Sequence, residues 1–254
     1  MLEIDKNCLF FKTKQVYFSN DPFDIKNCQN IQFLYCKKRK DSNGFKQKQE
    51  LTQIIDLTQE LDTIFQDMQR NVKNHIRRAE REGVEIQISK NFDEFYDIYI
   101  SLFKKKNIIS FMDKFGIGKI IPKEIMEKYG TLFVAKYNGE VIVGDVYLEG
   151  EDGVFSWAGA SKRLSLDKQG KKMVSRASRL CVWKAIEYYK NKGKKEFDLG
   201  GMWPIEQEED DFLKKGINSY KRGFGGKLVT RYNYEKTYSK LYYLLSKINN
   251  IRNI

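Results

Sequence analysis

Hydrophobic residues alternate with polar ones in the first part of this chain and recur at helical spacing further on. The alternation predicts short strands over Cys8 to Phe18 and Ile31 to Lys38, followed by a polar loop from Lys40 to Glu50. The helical period starts at Leu61. We therefore expect a small N-terminal subdomain over residues 1–60 and a larger domain over residues 61–254.

The first helical segment has a strongly basic face. Its apolar stripe consists of Leu61, Ile64, Phe65, Met68, Val72, His75, Ile76 and Ala79. Arg77 and Arg78 lie off this stripe, where they would form either a solvated surface or a phosphate contact. His75 is the only histidine, and its place on the stripe indicates a structural role.

The middle of the chain predicts an antiparallel meander. An amphipathic helix from Phe92 and a loop with a short helix over Phe111 to Tyr129, which could line a pocket, precede it. The three strands of the meander are Thr131 to Tyr137, Val141 to Glu149 and Val154 to Ala160. A basic loop from Lys162 to Lys172 then leads into a helix.

Two glycine clusters lie near the C-terminal end. The strand Lys195 to Leu199 runs into Gly200-Gly201, and the cluster Gly223 to Gly226 follows a predicted helix near Glu208 to Lys215 and the pair Lys221-Arg222. Glycine lets the backbone approach another group closely. Two such strand ends facing each other would form a cleft with backbone amides and positive charge, whereas two ordinary turns are the alternative.

The composition favours a soluble cytoplasmic protein with an anionic partner. The sequence has 14% aromatic residues and predicts neither a membrane-spanning segment nor a signal peptide. A net charge of +12 indicates nucleic acid, nucleotide-linked metabolites or an anionic membrane surface as the partner. Four widely spaced cysteines and one histidine cannot supply a Cys/His metal site, so we expect no metal and no bound cofactor.

The order of elements is that of an acetyltransferase-like α/β fold, whose central sheet is splayed to admit an acyl donor. Five segments carry a closer resemblance: IRRAEREGVEI (76–86), LFVAKYNGEVIVGDVYL (132–148), SWAGAS (156–161), KEFDLGG (195–201) and YKRGFGGKLV (220–229). Over about residues 60 to 235 the chain resembles the Fem-type (FemABX-like) peptidyltransferases of the GNAT superfamily. The resemblance implies an α/β (α+β) fold with a mixed, largely antiparallel central sheet flanked by helices, plus a small N-terminal strand-rich subdomain.

Fem-type enzymes catalyse N-acyl transfer, in which an amine attacks an activated acyl carbon and an amide forms. They use aminoacyl-tRNA to extend the muropeptide of a nucleotide- or lipid-linked peptidoglycan precursor. Related enzymes of envelope polysaccharide and lipopolysaccharide pathways acylate an amino sugar on a nucleotide with acyl-CoA. The resemblance therefore implies a transferase of cell-envelope biogenesis with acyl-CoA or aminoacyl-tRNA as its co-substrate.

Two departures from the family bear on the donor. The chain is shorter than typical tRNA-using members, which favours an amino-sugar nucleotide as acceptor and acyl-CoA as donor. Against acyl-CoA, the usual RxxGxG/A phosphate loop is missing, and only Gln169, Gly170, Lys171 and Lys172 precede the helix, where they could bind phosphate. We expect the acyl-CoA enzyme. The alternatives are an aminoacyl-tRNA-dependent peptidyltransferase acting on a peptidoglycan precursor and a non-catalytic basic nucleic-acid-binding module.

The resemblance assigns a catalytic role to Lys221. It matches the lysine that follows an aromatic residue, here Tyr220, in the Fem-type motif, and it would stabilise the negative charge of the tetrahedral intermediate. Asp145 interrupts the apolar strand VIVGDVYL, where burial can raise a carboxyl pKa, so it is the first candidate for the base. Asp198 is the second candidate for the base. If a substrate phosphate carries the proton instead, neither aspartate is needed as a base.

Further residues are candidates for binding. They are Trp157, Trp203 and Tyr220 for a base or sugar, Arg77 and Arg78 for substrate phosphates, and Gln169, Gly170, Lys171 and Lys172 for donor phosphates. Either tryptophan could instead belong to the core.

Overall fold

The computed structural model describes residues 1–8, 11–105, 120–208 and 211–251. These residues form two compact units. The first comprises the described residues within Met1–Glu50, Phe103–Tyr129 and Thr230–Ile254, and the second comprises those within Leu51–Leu102 and Gly130–Val229. Residues 111–119 of the loop expected before the meander lie outside the described residues.

The elements are numbered in chain order. The strands are β1 (Leu2–Cys8), β2 (Phe11–Tyr17), β3 (Asn30–Cys36), β4 (Lys46–Asp56), β5 (Glu85–Ser89), β6 (Gly130–Tyr137), β7 (Glu140–Glu149), β8 (Gly153–Ser161), β9 (Glu196–Met202) and β10 (Lys227–Thr237). The helices are α1 (Leu61–Asp67), α2 (Arg70–Arg81), α3 (Asp93–Lys105), α4 (Lys123–Tyr129), α5 (Lys168–Asn191), α6 (Phe212–Arg222) and α7 (Lys240–Ile251). None of the described helices is long and apolar enough to span a lipid bilayer.

The first unit contains β1, β2, β3 and, from Thr230 onward, β10. β1 pairs with β2 in antiparallel orientation, β2 with β3 in parallel, and β3 with β10 in antiparallel. Its apolar core includes Val16, Phe33 and Tyr234. The three cysteines whose side chains are described, Cys28, Cys36 and Cys181, are buried free thiols.

The second unit is built on a sheet in the order β4, β9, β8, β7, β6, β5, with β4 taken from Leu51 onward. Neighbouring strands are antiparallel except β8 and β9, which are parallel. Helix α5 packs on the sheet and against α2, and Ile76, Leu180 and Tyr189 lie in the core between them. The predicted meander is β6 to β8, and the mixed, largely antiparallel sheet flanked by helices confirms the expected fold class.

Two strands, β1 and β4, were not predicted from the sequence. The loop predicted from Lys40 to Glu50 runs into β4, whose first five residues, KQKQE, are polar. The strand predicted over Cys8 to Phe18 corresponds to β2, and β1 precedes it as its antiparallel partner.

The helix predicted from Leu61 is interrupted. Met68 and Gln69 are extended, with ψ of 146° at both residues, so α1 and α2 are separate helices. The Gln69 N–H donates to the carbonyl oxygen of Gly223 at 2.9 Å, and the Asp67 carboxylate accepts from the N–H of Gly226 at 2.8 Å. The break is therefore a tertiary effect, which a periodic pattern cannot show.

Two boundaries near the predicted site also differ. The helix predicted over Glu208 to Lys215 is α6, which starts at Phe212 after the N-cap Asp211 and carries Lys221 in its last turn. The basic loop predicted up to Lys172 ends earlier, because α5 already begins at Lys168.

Candidate active site

Strands β8 and β9 separate within the sheet. Gly153–Phe155 pairs with Glu196–Asp198, and the pairing ends there. Beyond Asp198, β9 continues beside β4 to Met202, whereas β8 continues beside β7 to Ser161. The sheet therefore opens between these two parallel strands.

A bulge in β9 lies at this opening. Thr52 of β4 is opposite Gly201 and Ile54 is opposite Asp198, so β9 has one extra residue between the two pairs. Gly200 has a φ of +80° there, in the left-handed region that favours glycine. Bulges of this kind bend a strand and redirect the groups next to it.

The carboxylate of Asp198 supports the bulge. Its Oδ1 accepts hydrogen bonds from the N–H of Gly200, at 2.7 Å, and from the hydroxyl of Thr52. Asp198 is 7% exposed and Thr52 is fully buried. Buried polar groups are held by such bonds, so the second candidate base is part of the support of the bulge.

Lys221 lies against the same bulge. Helix α6 brings its side chain to β9, where Nζ donates to the carbonyl oxygen of Gly201 at 2.7 Å. A Cβ at Gly200 would lie 3.5 Å from Lys221 Nζ and 3.4 Å from the carbonyl oxygen of Ser156, which are ordinary contact distances, so glycine is favoured there by its positive φ. The ammonium of Lys221 is therefore beside the opening between β8 and β9.

The second glycine cluster has a packing role. Gly225 and Gly226 have φ values of +76° and +77°. A Cβ at Gly226 would collide with the carbonyl group of Ile54, and one at Gly225 with the carboxylate of Asp67. The expected cleft between two glycine-bearing strand ends is therefore wrong, because a helix end carrying Lys221 faces the first cluster and the second cluster lets backbone segments pack closely.

Asp145 lies on β7, opposite Gly159 of β8. Its Oδ2 is buried without a hydrogen-bond partner among the described residues. Burial raises the pKa of Asp145 to about 7, and a hydrogen bond from Cys181 only partly opposes this effect. A carboxyl group that titrates near neutrality can take up a proton during a reaction at that pH.

Polar side chains from three elements interact electrostatically with Asp145. They are Tyr147 on β7, Cys181 on α5 and Tyr220 on α6, and burial followed by the charge of Asp145 raises the pKa of each. The guanidinium of Arg179 lies 5.1 Å from the centre of the Tyr220 ring. In the last turn of α6, Tyr220 thus lies near Asp145, and the neighbouring Lys221 contacts the β9 bulge.

Replacing Gly159 with alanine is expected to disrupt the Asp145 group. The added Cβ would lie 2.5 Å from Asp145 Oδ1, and overpacking of this kind costs about 1–3 kcal/mol. Thermal denaturation should show a lower Tm. Gly216→Ala is the control, because a Cβ there meets nothing within 4 Å and alanine favours a helix. A Tm equal to that of the wild type for Gly159→Ala would contradict the close contact.

A cationic cleft of about 520 Å³ lies between α2 and the first turns of α5. Its described lining residues are His75, Arg78, Arg163, Lys168, Lys171, Lys172, Ser175 and Arg176. Six of them are cations and none is a carboxylate. A concave site of one charge sign concentrates counter-ions, and guanidinium groups suit phosphate oxygens.

Glu82 orients two arginines of this cleft. Its Oε1 accepts from Arg78 Nε at 2.7 Å, and its Oε2 accepts from Arg176 Nε at 2.6 Å. Burial raises the pKa of Glu82, but the hydrogen bonds and charges of the two arginines outweigh this effect, so that its pKa is lowered. Because each arginine uses Nε, its two terminal amino groups can serve another acceptor.

His75 lines the cleft instead of the apolar core. Its Nδ1 is buried and has no hydrogen-bond partner within the described parts of the chain. Burial and the charges of Arg179, Arg176 and Arg78 lower the pKa of His75. The imidazole is therefore neutral at pH 7 and adds a polar group to the cationic wall.

The candidate donor residues Gln169 to Lys172 belong to the first turn of α5. Asp167 is the N-cap of this helix, and its Oδ1 accepts from the N–H of Gly170 at 2.8 Å. The carboxylate of Asp167 therefore already accepts the hydrogen bond that the Gly170 N–H would otherwise donate to a phosphate. Lys171 and Lys172 line the cationic cleft, whereas Gln169 and Gly170 line a groove beside it.

The remaining binding candidates occupy different places. Arg77 is exposed and lies over the ring of Phe65 at 5.2 Å, away from the cleft that Arg78 lines. Trp157 is half-buried at a bulge of β8. Trp203 follows β9 directly, and its backbone N–H and carbonyl both bond to the side chain of Asn218.

Sequence reasoning missed several residues of these sites. They are Thr52, Gly159, Arg163, Lys168, Arg176 and Arg179. A local signal existed for Gly159, as a glycine next to a predicted strand end, and for Arg163 and Lys168, as cations of the basic segment. Thr52 had no local signal, because its role depends on a partner far along the chain.

Comparison with known proteins finds similarity at the level of structure. No protein-family model and no curated protein matches the sequence. FemX is similar with a TM-score of 0.59 and 11% identity, over 96% of this chain and 86% of FemX. L-PGS from Bacillus licheniformis is similar with a TM-score of 0.55 and 14% identity, over 85% of this chain and 72% of L-PGS. A DUF2156 domain from Agrobacterium fabrum is similar with a TM-score of 0.57 and 13% identity, over 87% of this chain and 72% of that domain. The protein therefore has a fold similar to that of FemX and L-PGS.

Proposed function

We propose that this protein transfers an acyl or aminoacyl group from a phosphate-bearing donor to an amine at the opening between β8 and β9. The observation that carries the proposal is the ammonium of Lys221, held on the β9 bulge beside that opening. The fold that the chain shares with FemX and L-PGS supports a transferase of the cell envelope.

In the proposed reaction, the amine nitrogen attacks the acyl carbon. A C–N bond forms, and the bond from the acyl carbon to the sulfur or oxygen of the donor breaks. An N–H of Lys221 stabilises the charge that develops on the former carbonyl oxygen. Asp145 accepts the proton of the amine as a carboxylate, and that proton then passes to the leaving thiolate or alkoxide.

The cationic cleft is the proposed binding site for the donor phosphates. Helix α5 connects it to the reacting centre, since Arg176 lines the cleft and Arg179, three residues further along, contacts the ring of Tyr220. Side chains provide the positive charge there, because Asp167 already caps the helix N-terminus. The diphosphate of acyl-CoA and the phosphodiester end of aminoacyl-tRNA both have the required chemistry.

The proposed acceptor is an amine of a nucleotide-linked cell-envelope precursor. One candidate acceptor is an amino-sugar nucleotide, which would be acylated from acyl-CoA. The capped N-terminus of α5 and the cleft built from side chains favour aminoacyl-tRNA, and so a peptidyltransferase. The Agrobacterium fabrum domain belongs to a protein named as a lysylphosphatidylglycerol synthetase, whose named product carries an aminoacyl group.

Product mass distinguishes the two donors. Purified protein is incubated with amino-sugar nucleotides or a muropeptide precursor, and with either acyl-CoA thioesters or a mixture of aminoacyl-tRNAs. An amide product with one donor class identifies the donor. No turnover with any donor, together with salt-sensitive binding of nucleic acid, would contradict the proposal and identify a basic binding module.

The double variant Lys171→Ala, Lys172→Ala is expected to raise KM for the donor about ten-fold or more, because hydrogen bonds to charged groups contribute about 1.5–3 kcal/mol each. The kcat should change much less, and the difference in KM should shrink at high salt. Lys162→Ala is the control, since Lys162 pairs with Glu140 at 3.2 Å and does not line the cleft. An unchanged KM for the donor would remove the cleft from the proposal.

A further inference from the structure

We propose that Thr52 is a positioning residue for the reaction, because its hydroxyl, through Asp198, fixes the β9 bulge on which Lys221 is held. The inference rests on the proposed function. Thr52 is fully buried on β4, and its hydroxyl donates to Asp198 Oδ1. It thus acts on Lys221 through two intermediates, the carboxylate and the bulge.

Asp198 joins the opening of the sheet to the bulge. It is the last residue of β9 paired with β8. Its Oδ1 accepts the N–H of Gly200, which has the left-handed conformation of the bulge. The carbonyl oxygen of the following residue, Gly201, accepts a hydrogen bond from the ammonium of Lys221. A rotation of the carboxylate would therefore release the backbone at the position that anchors Lys221.

Thr52 prevents such a rotation. A buried carboxylate needs hydrogen-bond donors, and removal of one donor costs more than the bond itself because the acceptor stays desolvated. Without the Thr52 hydroxyl, Asp198 would turn toward other donors, and the N–H of Gly200 would lose its fixed acceptor. A shift of about 1 Å in a catalytic group can cost about 100-fold in rate.

Thr52→Val and Thr52→Ser test this role against a matched control. Valine removes the hydroxyl at similar size, whereas serine keeps it. We expect Thr52→Val to lower kcat about ten-fold or more with little change in KM, and Thr52→Ser to retain most of the activity. Thr131→Val is the control, because Thr131 also lies on a strand and donates to a carboxylate, that of Glu149 at 2.9 Å. At an assay temperature well below its Tm, Thr131→Val should have the same kcat as the wild type.

A double-mutant cycle separates positioning from a general structural effect. In Lys221→Ala, the further change Thr52→Val should lower kcat no more, because the group that Thr52 positions is gone. Additive losses would overturn the inference. An equal loss of kcat in Thr52→Val and Thr52→Ser would overturn it as well.

Failure of the proposed function has a different signature. If the wild type turns over no donor, that proposal has failed, and hydrogen exchange of the Gly200 amide tests the bulge directly. We expect exchange about ten-fold faster in Thr52→Val than in Thr52→Ser, since the amide loses its fixed acceptor. Equal exchange rates would overturn the role of Thr52.

Discussion

Replacement of Lys221 with alanine is expected to lower kcat by about 10²- to 10³-fold, which is the typical loss when one donor to a developing oxyanion is removed. KM should change little, because the N–H is proposed to bind the oxygen strongly only when it becomes charged. Steady-state kinetics with the donor identified by product mass provide the measurement. Since Lys221 also bonds to the Gly201 carbonyl, the Tm of the variant must be measured in parallel.

Lys215→Ala is the matched control for this variant. Lys215 lies on the same helix but is exposed, so its removal takes away one charge without touching the bulge. It should keep the kcat of the wild type. A kcat near the wild-type value in Lys221→Ala would exclude Lys221 from the mechanism. A loss that equals the loss in Lys215→Ala would indicate a general effect of charge.

The sequence was sufficient for the meander because its signals are local. Strands β6 to β8 are apolar and joined by tight turns, and Asn138 and Gly139 have the positive φ values, 52° and 80°, that such a turn requires. Helix α5 shows its apolar stripe over many turns. The signals that identify these elements therefore lie within the segments themselves.

The geometry around Lys221 could not be predicted in this way. Thr52 and Asp198 are 146 positions apart, and the bulge exists only because β4 pairs with β9 in a shifted register. The start of α6 is set by the N-cap Asp211. The acidic run before it has the composition of a first helical turn and moved the predicted helix toward the N-terminus.

The cationic cleft shows the same limit. Lys171 and Lys172 were identified from the basic segment, but Arg176 lies further along α5 among the helix's core residues. Its partner Glu82 is 94 positions earlier in the chain. The packing of α2 on α5 therefore selects which of many lysines and arginines line one site, and the sequence alone gives no such selection.

Asp145→Asn is expected to abolish the rise of the rate around pH 7. In the wild type, kcat should increase with pH through the pKa of Asp145, which burial raises to about 7, because only the carboxylate can accept a proton. Asparagine cannot accept it at any pH. Loss of a positioned base typically costs about 10²- to 10⁴-fold, so the variant should be slow and show a flat profile in this range.

The same substitution should stabilise the fold at high pH. The carboxyl has an ordinary pKa of 3.8 when unfolded, and burial raises the pKa of Asp145 to about 7 in the folded protein. The folded state therefore favours the protonated form. At a pH below the pKa of the unfolded state, the carboxyl does not lower the free energy of unfolding. As the pH rises to about 7, this free energy falls by up to about 4 kcal/mol. Asparagine avoids this cost, so the variant should melt above the wild type at pH 8, and the difference should vanish toward pH 4.

The two measurements together decide the role of Asp145. A flat pH profile with a raised Tm at pH 8 is the result expected for a buried base. A raised Tm with an unchanged profile would mean that the proton leaves through a substrate phosphate instead. An unchanged Tm would contradict the raised pKa itself. Asp152→Asn is the control, since Asp152 is exposed and pairs with Lys195 at 3.0 Å. It should alter neither quantity, because an exposed pair contributes little.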